Sequence, residues 1–237
     1  MRRFDGRTIV LTGVGREGQV GEVVARAFAE EGATLVLVAH RLDDARARAA
    51  TLRAAGHTAH AEACDLADPD QVSSLARTVA GRHGGRIDAL VNIAGGFAMS
   101  GPVADSDVAV WRRQLDINLT TAYLATRAFL PMLRPAQGAI VYFAAAAALP
   151  GARVAEMSAY TVAKSGVVVL MRAVAEEERD AGVRANAIAP TAIRTAANIE
   201  TMSGKTRYVE REDVARAALF LCSDDARAVT GQILRLA

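Results

Sequence analysis

Cysteine, long apolar runs and clusters of basic residues are scarce or missing in this sequence, and each absence argues against a class of protein. The two cysteines, Cys64 and Cys222, form no CxxC pair and no Cys/His cluster. We therefore expect no disulfide framework and no metal site, and a reducing compartment. No apolar run is long enough to span a bilayer, and residues 1–7 lack the apolar core of a signal peptide.

Positive charge is spread along the chain, which has a formal net charge of +2. Without a basic block, a nucleic-acid surface is not expected. We predict a cytoplasmic protein whose partner is a small-molecule substrate, and neither nucleic acid nor a membrane.

Lysine is scarce as well, since only Lys164 and Lys205 stand among 28 lysine and arginine residues. Lys164 follows Tyr160 by one helical turn, in an apolar segment that begins at Ser158, and residues four apart lie on one face of a helix. A fixed cation beside a phenol lowers the pKa of the phenol, so the pair could act as a general acid or base near neutral pH. A packed ring beside a solvated amine is the alternative interpretation. A point charge retained in so arginine-rich a chain favours the functional one.

The order of apolar segments predicts an α/β fold. Short β-rich runs alternate with longer helical patterns, which indicates right-handed βαβ units and a parallel sheet covered on both faces. With 237 residues, of which 51% are hydrophobic, the chain 1–237 fits a single domain with one sizeable core. The predicted strands are Thr8–Thr12, Thr34–Val38, Thr58–Ala63, Ala89–Ile93, Ala139–Phe143, Arg184–Ala189 and Gln232–Leu236. The predicted helices are Val20–Glu31, Leu42–Ala54, Pro69–Arg82, Asp107–Leu133, Ser158–Asp180 and Arg211–Cys222.

A glycine-rich segment joins the first strand to the first helix, from Thr12 to Gly21. Glycines permit close backbone approach, and a helix start offers free N–H groups and a positive dipole end to a phosphate. Strand, glycine-rich turn and helix in this order is the context of a dinucleotide site, although the spacing does not match GxGxxG and a merely flexible loop is the alternative. The candidate phosphate contacts are Gly13, Gly15, Arg16, Gly18, Gln19 and Val20.

The second strand carries no acidic residue where an NAD-binding unit usually has one for the ribose, since Ala39 stands there. The neighbouring His40 and Arg41, with Arg16 of the loop, could instead accept a 2′-phosphate. This favours NADP(H) over NAD(H). A solvated charge at the start of the next helix is the alternative for Arg41.

The third and fourth strands end in further candidates. Asp65 could bond an adenine amine or cap the helix that begins near Asp68. After the fourth strand, small residues follow Asn92, where a flat ligand could pass close to the backbone or a structural turn could form.

Taken together, these motifs resemble those of the short-chain dehydrogenase/reductase family, over essentially the whole chain. The motifs are Thr12-Gly13…Gly21, Asp65-Leu66, Asn92-x-Ala94-Gly95, Asp116-x-Asn118, Tyr160-x-x-x-Lys164, Asn186-Ala187-Ile188-Ala189-Pro190…Thr195 and Val229-Thr230-Gly231-Gln232.

The resemblance implies a Rossmann-type, doubly wound, seven-stranded parallel sheet and an NAD(P)(H)-dependent oxidoreductase that transfers hydride between the nicotinamide and a carbonyl or hydroxyl substrate. It makes Tyr160 the acid/base, Lys164 the residue that lowers its pKa and binds the nicotinamide ribose, and Asn118 the holder of a relay water. The cofactor contacts it adds are Asp65, Leu66, Asn92, Ala94, Gly95, Pro190, Thr191, Ile193 and Thr195.

Three departures from the family pattern are visible. The phosphate loop is longer than TGxxxGxG, with Gln19 in place of a glycine, and its length is closer to that of the enoyl-thioester reductases. Thr191 follows Pro190 where glycine is usual. Ala145 occupies the position of the catalytic serine, and the lost hydrogen bond could cost about 2–4 kcal/mol of transition-state stabilisation. Ser158 is expected to begin its helix and not to replace this serine.

Ala145 leaves three functions open. The first is a 3-oxoacyl-reductase-like carbonyl reductase with weakened activity. The second resembles dihydropteridine reductases, a branch of the family that carries alanine at this position and reduces a quinonoid ring. The third is a catalytically silent nucleotide-binding protein. The predicted substrate pocket consists of Gly96, Phe97, Met99, Ala145, Ala146 and Met202.

Two further expectations concern surfaces. The helix that carries Tyr160 is apolar on its far face too, at Val168 and Val169, and such a helix is buried on both sides. Family members pair this helix and the Asp107–Leu133 helix with a second subunit, so a homodimer or homotetramer is predicted. Residues 195–208 are small and polar and are predicted to form a mobile substrate lid.

Overall fold

A seven-stranded parallel sheet forms the centre of the structure, a computed structural model that describes residues 2–201 and 206–237. The strand order is β3-β2-β1-β4-β5-β6-β7, as expected for a doubly wound Rossmann-type sheet. The strands are β1 (Thr8–Thr12), β2 (Thr34–Ala39), β3 (Ala59–Ala63), β4 (Ala89–Asn92), β5 (Ala139–Phe143), β6 (Arg184–Pro190) and β7 (Ile233–Leu236).

The central strands are buried along nearly their whole length because the sheet is covered on both faces. All residues of β4 and β5 are buried, and so are all but the first residue of β1 and β2. Such continuous burial is what parallel strands require. The predicted fold class is therefore confirmed.

The helices lie in two layers. Apolar side chains of α1, α2 and α8 join one core, and those of α3, α5 and α6 join the other. The helices are α1 (Val20–Glu30), α2 (Leu42–Ala54), α3 (Pro69–Arg82), α4 (Val108–Leu115), α5 (Thr121–Leu133), α6 (Ser158–Glu177), α7 (Ala196–Thr201) and α8 (Arg211–Cys222).

The chain reverses direction across the sheet between β1 and β4. It starts at β1, proceeds outward to β3, and then returns to β4 on the other side of β1. Thr12 of β1 pairs with Val38 on one side and with Asn92 on the other. Ligands of doubly wound sheets bind at such a reversal, beyond the carboxyl ends of the strands.

The helix predicted over Asp107–Leu133 is present from Val108 to Leu133, but it contains a π-helical turn. A π-helical turn, Asp116–Thr120, separates α4 from α5. The N–H of Thr121 reaches back five residues to the carbonyl of Asp116, while its hydroxyl donates to the carbonyl of Ile117 at 2.9 Å. The extra residue is accommodated because a side chain satisfies a carbonyl that the regular ladder would otherwise serve.

The helix α6 is not buried on both sides within the subunit. Val168 is buried, but Val169 and Val162 are 65% and 47% exposed. The apolar far face predicted from the sequence is therefore present at the surface.

No helix among the described residues has the length and apolarity needed to cross a membrane. In the same part of the chain, no three His, Cys, Asp or Glu side chains lie close enough together to hold a metal ion.

Candidate active site

The phosphate loop, Thr12 to Gly21, contacts the end of β4 through the Thr12 side chain and the Gly13 backbone. The Thr12 hydroxyl accepts hydrogen bonds from the N–H groups of Ile93 at 3.1 Å and Ala94 at 3.2 Å. Gly13 has a φ of +75°, and a Cβ atom there would lie 2.7 Å from the nitrogen of Ala94. Only glycine fits at this contact, so Gly13 and Ala94 meet as the motifs imply.

The start of α1 offers the donors that a phosphate needs. A Cβ atom on Gly21 would lie 2.6 Å from the carbonyl oxygen of Gly13, so the helix start packs directly against the loop. Gln19 precedes the helix without capping it through its side chain. The Gln19 side chain thus leaves the N–H groups of the first turn to other acceptors, and such a helix N-terminus suits an anion. A glycine cradle with these donors fits the pyrophosphate of a dinucleotide.

The loop also approaches the end of β2. A Cβ atom on Gly15 would lie 3.6 Å from both the Ala39 and Asp44 Cβ atoms. Asp44 was not among the predicted site residues, although it follows Arg41 by three residues at a helix start. The Arg41 Nε lies 3.9 Å from the Asp44 carboxylate, and this arginine side chain is 74% exposed. Arg16 and His40 are exposed as well.

Asp65 does not cap the helix α3, which was one of its two predicted roles. Asp68, and not Asp65, caps α3 by accepting from the N–H groups of Asp70 and Gln71. Asp65 accepts from the N–H of Ala67 at 3.0 Å. The Leu66 side chain is buried in the core, which leaves only its backbone for a ligand.

The Asn92 side chain does not line the crevice, contrary to the expectation from the motif. Its amide donates to the Thr126 hydroxyl at 3.3 Å, which lies 2.8 Å from the Tyr142 hydroxyl in the same buried layer. Successive strand side chains point to opposite faces of a sheet, so the last residue of β4 points into the core here.

Gly95 is the point where two predicted catalytic side chains meet. A Cβ atom on Gly95 would lie 2.6 Å from Asn118 Oδ1 and 3.2 Å from Lys164 Nζ. Asn118 comes from the π-helical turn and Lys164 from α6. The two elements therefore bring an amide and an amine together beside the end of β4, as the resemblance implies.

Asn118 is fixed from both sides. Its Nδ2 donates to the Gly96 carbonyl at 2.9 Å, and its Oδ1 accepts from the Gly96 N–H at 3.1 Å. Gln114, one turn earlier and also buried, accepts from the same Nδ2 through its Oε1 at 3.2 Å. Gln114 was not among the predicted site residues, although its spacing of four residues from Asn118 could have identified it.

Lys164 is buried and donates to the carbonyl oxygen of Phe143, the last residue of β5, at 2.7 Å. Burial lowers the pKa of Lys164 to about 8. Burial also raises the pKa of Tyr160 to about 12. The pKa of Tyr160 is therefore raised in this structure and not lowered as expected, because burial disfavours the phenolate and dominates the shift.

Ala145 lies one residue beyond the Ala144 that follows β5 and is 6% exposed, where the resemblance places the catalytic serine. The predicted pocket residue Ala146 begins a short 3₁₀ turn beside it. Phe97 packs its ring edge-to-face on Tyr160, with centroids 5.0 Å apart. Met99, on the same loop as Phe97, is 50% exposed. The Phe97 ring therefore gives the Tyr160 phenol an apolar neighbour.

Ser158 begins α6, as expected, and its hydroxyl lies 3.2 Å from that of Ser100. Ser100 belongs to the loop after β4, and its N–H donates to the carbonyl of Glu156 at 2.8 Å. The loops after β4 and β5 are thus joined beside Tyr160. Glu156 has a φ of +64°, which is unusual for a residue with a side chain.

Some of the predicted cofactor-binding residues after β6 already have partners within the chain. Pro190 ends β6 and Thr191 is exposed, while Ile193 pairs with Val209 through an isolated bridge. The Thr195 hydroxyl accepts from the N–H of Asn198 at 3.2 Å, at the start of α7. Met202 lies outside the described residues, so the predicted lid 195–208 is described only in part.

The chain is similar to known proteins along almost its whole length. The family described as enoyl-(acyl carrier protein) reductase has a sequence model that matches residues 13–236. The cis-4-hydroxycyclohexanecarboxylate dehydrogenase of Sinomonas cyclohexanicum is 36% identical, over 98% of this chain and 95% of its own.

Solved structures are similar over the whole chain. A short-chain type dehydrogenase/reductase from Mycobacterium ulcerans superposes with a TM-score of 0.89 at 31% identity, covering 98% of this chain and 89% of that one. A 7α-hydroxysteroid dehydrogenase complexed with NADH and 7-oxo glycochenodeoxycholic acid superposes with a TM-score of 0.90 at 29% identity. The match covers 99% of this chain and 94% of that one.

The contacts at Gly95 generate a stability prediction. Gly95→Ala should lower the free energy of unfolding by about 1–3 kcal/mol, because its Cβ would press on Asn118 and Lys164. Gly81→Ala is the matched control, since nothing lies within 4 Å of a Cβ there and the residue is in α3. Alanine should raise the stability there by about 0.5–1 kcal/mol. Urea unfolding measures both, and equal stability of the two variants would contradict the contacts at Gly95.

Proposed function

The chain belongs to the short-chain dehydrogenase/reductase family and is an NAD(P)-dependent oxidoreductase of hydroxyl or carbonyl substrates, and from this premise we propose that Tyr160 transfers the proton of the reaction. The nicotinamide ring, when bound, supplies or accepts the hydride. One observation carries the assignment. The segment Ala94–Gly96 touches the phosphate loop through Gly13 and the acid/base residues through Asn118 and Lys164.

Tyr160 is suited to the role of a general acid. With a pKa of about 12 its phenol is protonated at neutral pH, and an alkoxide that develops on a reduced ketone needs a donor of that kind. Lys164 lies one turn further along α6, with its amine buried between Phe143 and Gly95. We propose that this cation stabilises the phenolate that Tyr160 becomes after giving up its proton.

The residues proposed to hold the cofactor are those of the glycine cradle and the Ala94–Gly95 backbone. Gly13, Gly21 and the first-turn N–H groups of α1 would face the pyrophosphate. Lys164 and Asn118 would orient the nicotinamide ribose and the proton path. The apolar surroundings of Tyr160, with Phe97 half exposed beside it, favour a substrate with an apolar ring or chain next to its oxygen.

The acid/base role of Tyr160 is tested by removing its hydroxyl. Tyr160→Phe should lower kcat about 10²–10⁴-fold in ketone reduction with NADPH, while the Kd for NADPH stays close to the wild-type value. Tyr123→Phe, at a half-exposed tyrosine of α5, is the matched control and should retain wild-type kcat. Steady-state kinetics and fluorescence titration measure the two quantities. Unchanged kcat in the Tyr160 variant would refute the assignment.

Ala145 is proposed to weaken carbonyl reduction because it leaves the developing alkoxide without a serine donor. Ala145→Ser should therefore raise kcat/KM for simple ketones by about 10–10³-fold. The alternative, favoured by the same alanine, is a substrate such as a quinonoid dihydropterin that accepts hydride without that donor. Turnover of simple ketones and of the quinonoid dihydropterin, measured for the wild type and for Ala145→Ser, distinguishes the two functions. Wild-type turnover of the dihydropterin below that of ketones would exclude the alternative.

NADP(H) is proposed as the preferred cofactor because neither Ala39 nor His40 is acidic and Arg41 projects beside the end of β2. Arg41→Ser should weaken NADPH binding about 10–100-fold and leave NADH binding nearly unchanged, since one charge-assisted contact to the 2′-phosphate is lost. Arg46→Ser, further along the same helix and 64% exposed, is the control. Equilibrium titrations measure the four Kd values. Equal losses for NADPH and NADH in the Arg41 variant would oppose the proposal.

A homodimer or homotetramer is proposed from the apolar surface of the helices α4, α5 and α6. Trp111 and Tyr123 are 38% and 49% exposed there, alongside Val162 and Val169 of α6. Val169→Asp should shift the assembly toward the monomer in light scattering at micromolar concentration, because a carboxylate cannot be buried there unpaired. Thr51→Asp, at an exposed position of α2, is the control and should leave the assembly intact. A monomeric wild-type protein would overturn the proposal.

A further inference from the structure

A carboxylate in the first turn of α1 binds the backbone of the phosphate loop, beside the helix start where the cofactor phosphates are proposed to bind. Glu22 lies in the first turn of α1, and its Oε2 accepts a hydrogen bond from the Gly18 N–H at 2.7 Å. The Gly18 carbonyl accepts from Arg211 of α8 at 2.9 Å. Gly18 has a φ of +71°, so the middle of this unusually long loop is held in a left-handed conformation by contacts on both its backbone atoms.

A carboxylate in this position has two opposite effects. It stabilises the helix start, as the acidic residue of a capping box does, because it satisfies an N–H group and faces the positive end of the helix dipole. It also repels any anion bound at the same helix start. A loop whose backbone is held by Glu22 can therefore bind phosphates only if a cation offsets the negative charge of that carboxylate.

Arg48 is that cation. It reaches from α2, with its Nη1 2.9 Å from Glu22 Oε1 and its Nη2 3.4 Å from Glu17 Oε2. The Arg48 and Glu22 side chains are only 15% and 25% exposed, whereas Glu17 is 81% exposed. Charges that are mostly buried are poorly screened by salt, so Arg48 is the partner that offsets the field of the Glu22 carboxylate at the helix start.

We propose that Arg48 is a positioning residue for cofactor binding: it neutralises Glu22, so that this carboxylate can fasten Gly18 without repelling the phosphates. The inference rests on the proposed function, since it concerns the same dinucleotide site. Arg48 itself is not assigned a contact with the cofactor. Its effect passes through Glu22 and the loop.

The test compares charge removal with charge balance. The variants are Arg48→Met, Glu22→Gln, the double variant and Arg48→Lys, with Arg26→Met as control. Arg26 is a half-exposed arginine of α1 whose ion pairs with Glu30 and Glu212 are long, at 4.0 and 3.9 Å. Calorimetric Kd values for ADP-ribose and for NADPH are measured, together with the thermal unfolding midpoint of each variant without ligand.

Arg48→Met should weaken binding of both ligands about 10–100-fold, because Glu22 is then left as an unpaired charge. The double variant should recover most of this loss, since a glutamine can still accept from the Gly18 N–H without a charge. Arg48→Lys should bind better than Arg48→Met, and Arg26→Met should bind as the wild type does.

Two results would overturn the inference. In the first, Arg48→Met binds ADP-ribose as the wild type does. In the second, the double variant binds as weakly as Arg48→Met, which would reduce Arg48 to a structural role. Should Arg48→Met fail to fold, Glu22→Gln decides alone: binding equal to or tighter than wild type supports the inference, and a loss of tenfold or more refutes it. A wild-type protein that binds neither ligand would instead refute the proposed function, and this inference with it.

Discussion

The burial of the Lys164 amine is the constraint on which the rest of the site depends. A cation removed from water needs compensating contacts, and here the carbonyl of Phe143 supplies one at 2.7 Å. That contact joins α6 to the end of β5. Because the amine also comes close to Gly95, no side chain is tolerated there, and the loop after β4 has to approach as bare backbone. The buried Lys164 amine of α6 thus contacts both the end of β5 and the loop that follows β4.

The π-helical turn supplies the second side chain that packs against Gly95, Asn118. Its extra residue places Asn118 where it can bond both backbone groups of Gly96, while Gln114 supports the amide from one turn earlier. π-Turns inside helices are frequently found at functional sites. Through Ala94 and Gly13 the same short segment reaches the phosphate loop. The residues proposed to transfer the proton and those proposed to bind the phosphates are therefore connected through three consecutive residues, Ala94–Gly96.

Much of the architecture could be predicted because parallel strands are buried on both faces and read as short apolar runs. The strands β1 and β5 were predicted with their observed bounds. The π-turn between α4 and α5 could not be predicted, since a single π-turn leaves the apolar pattern on either side intact. Spacing predicted that Tyr160 and Lys164 lie together, but the pKa of Tyr160 depends on burial, which spacing does not contain. The inward direction of Asn92 was missed because a motif names a residue and not the sheet face it points to.

The most direct test of this account is the pKa of Lys164 in solution. The chain has only two lysines, so the Lys205→Arg variant labelled with ¹³C at the lysine Cε has a single resonance, which belongs to Lys164. An NMR titration of that resonance should give a midpoint near pH 8, as burial of the amine requires. A midpoint at the ordinary lysine value of about 10.4 would show a solvated amine and contradict the account.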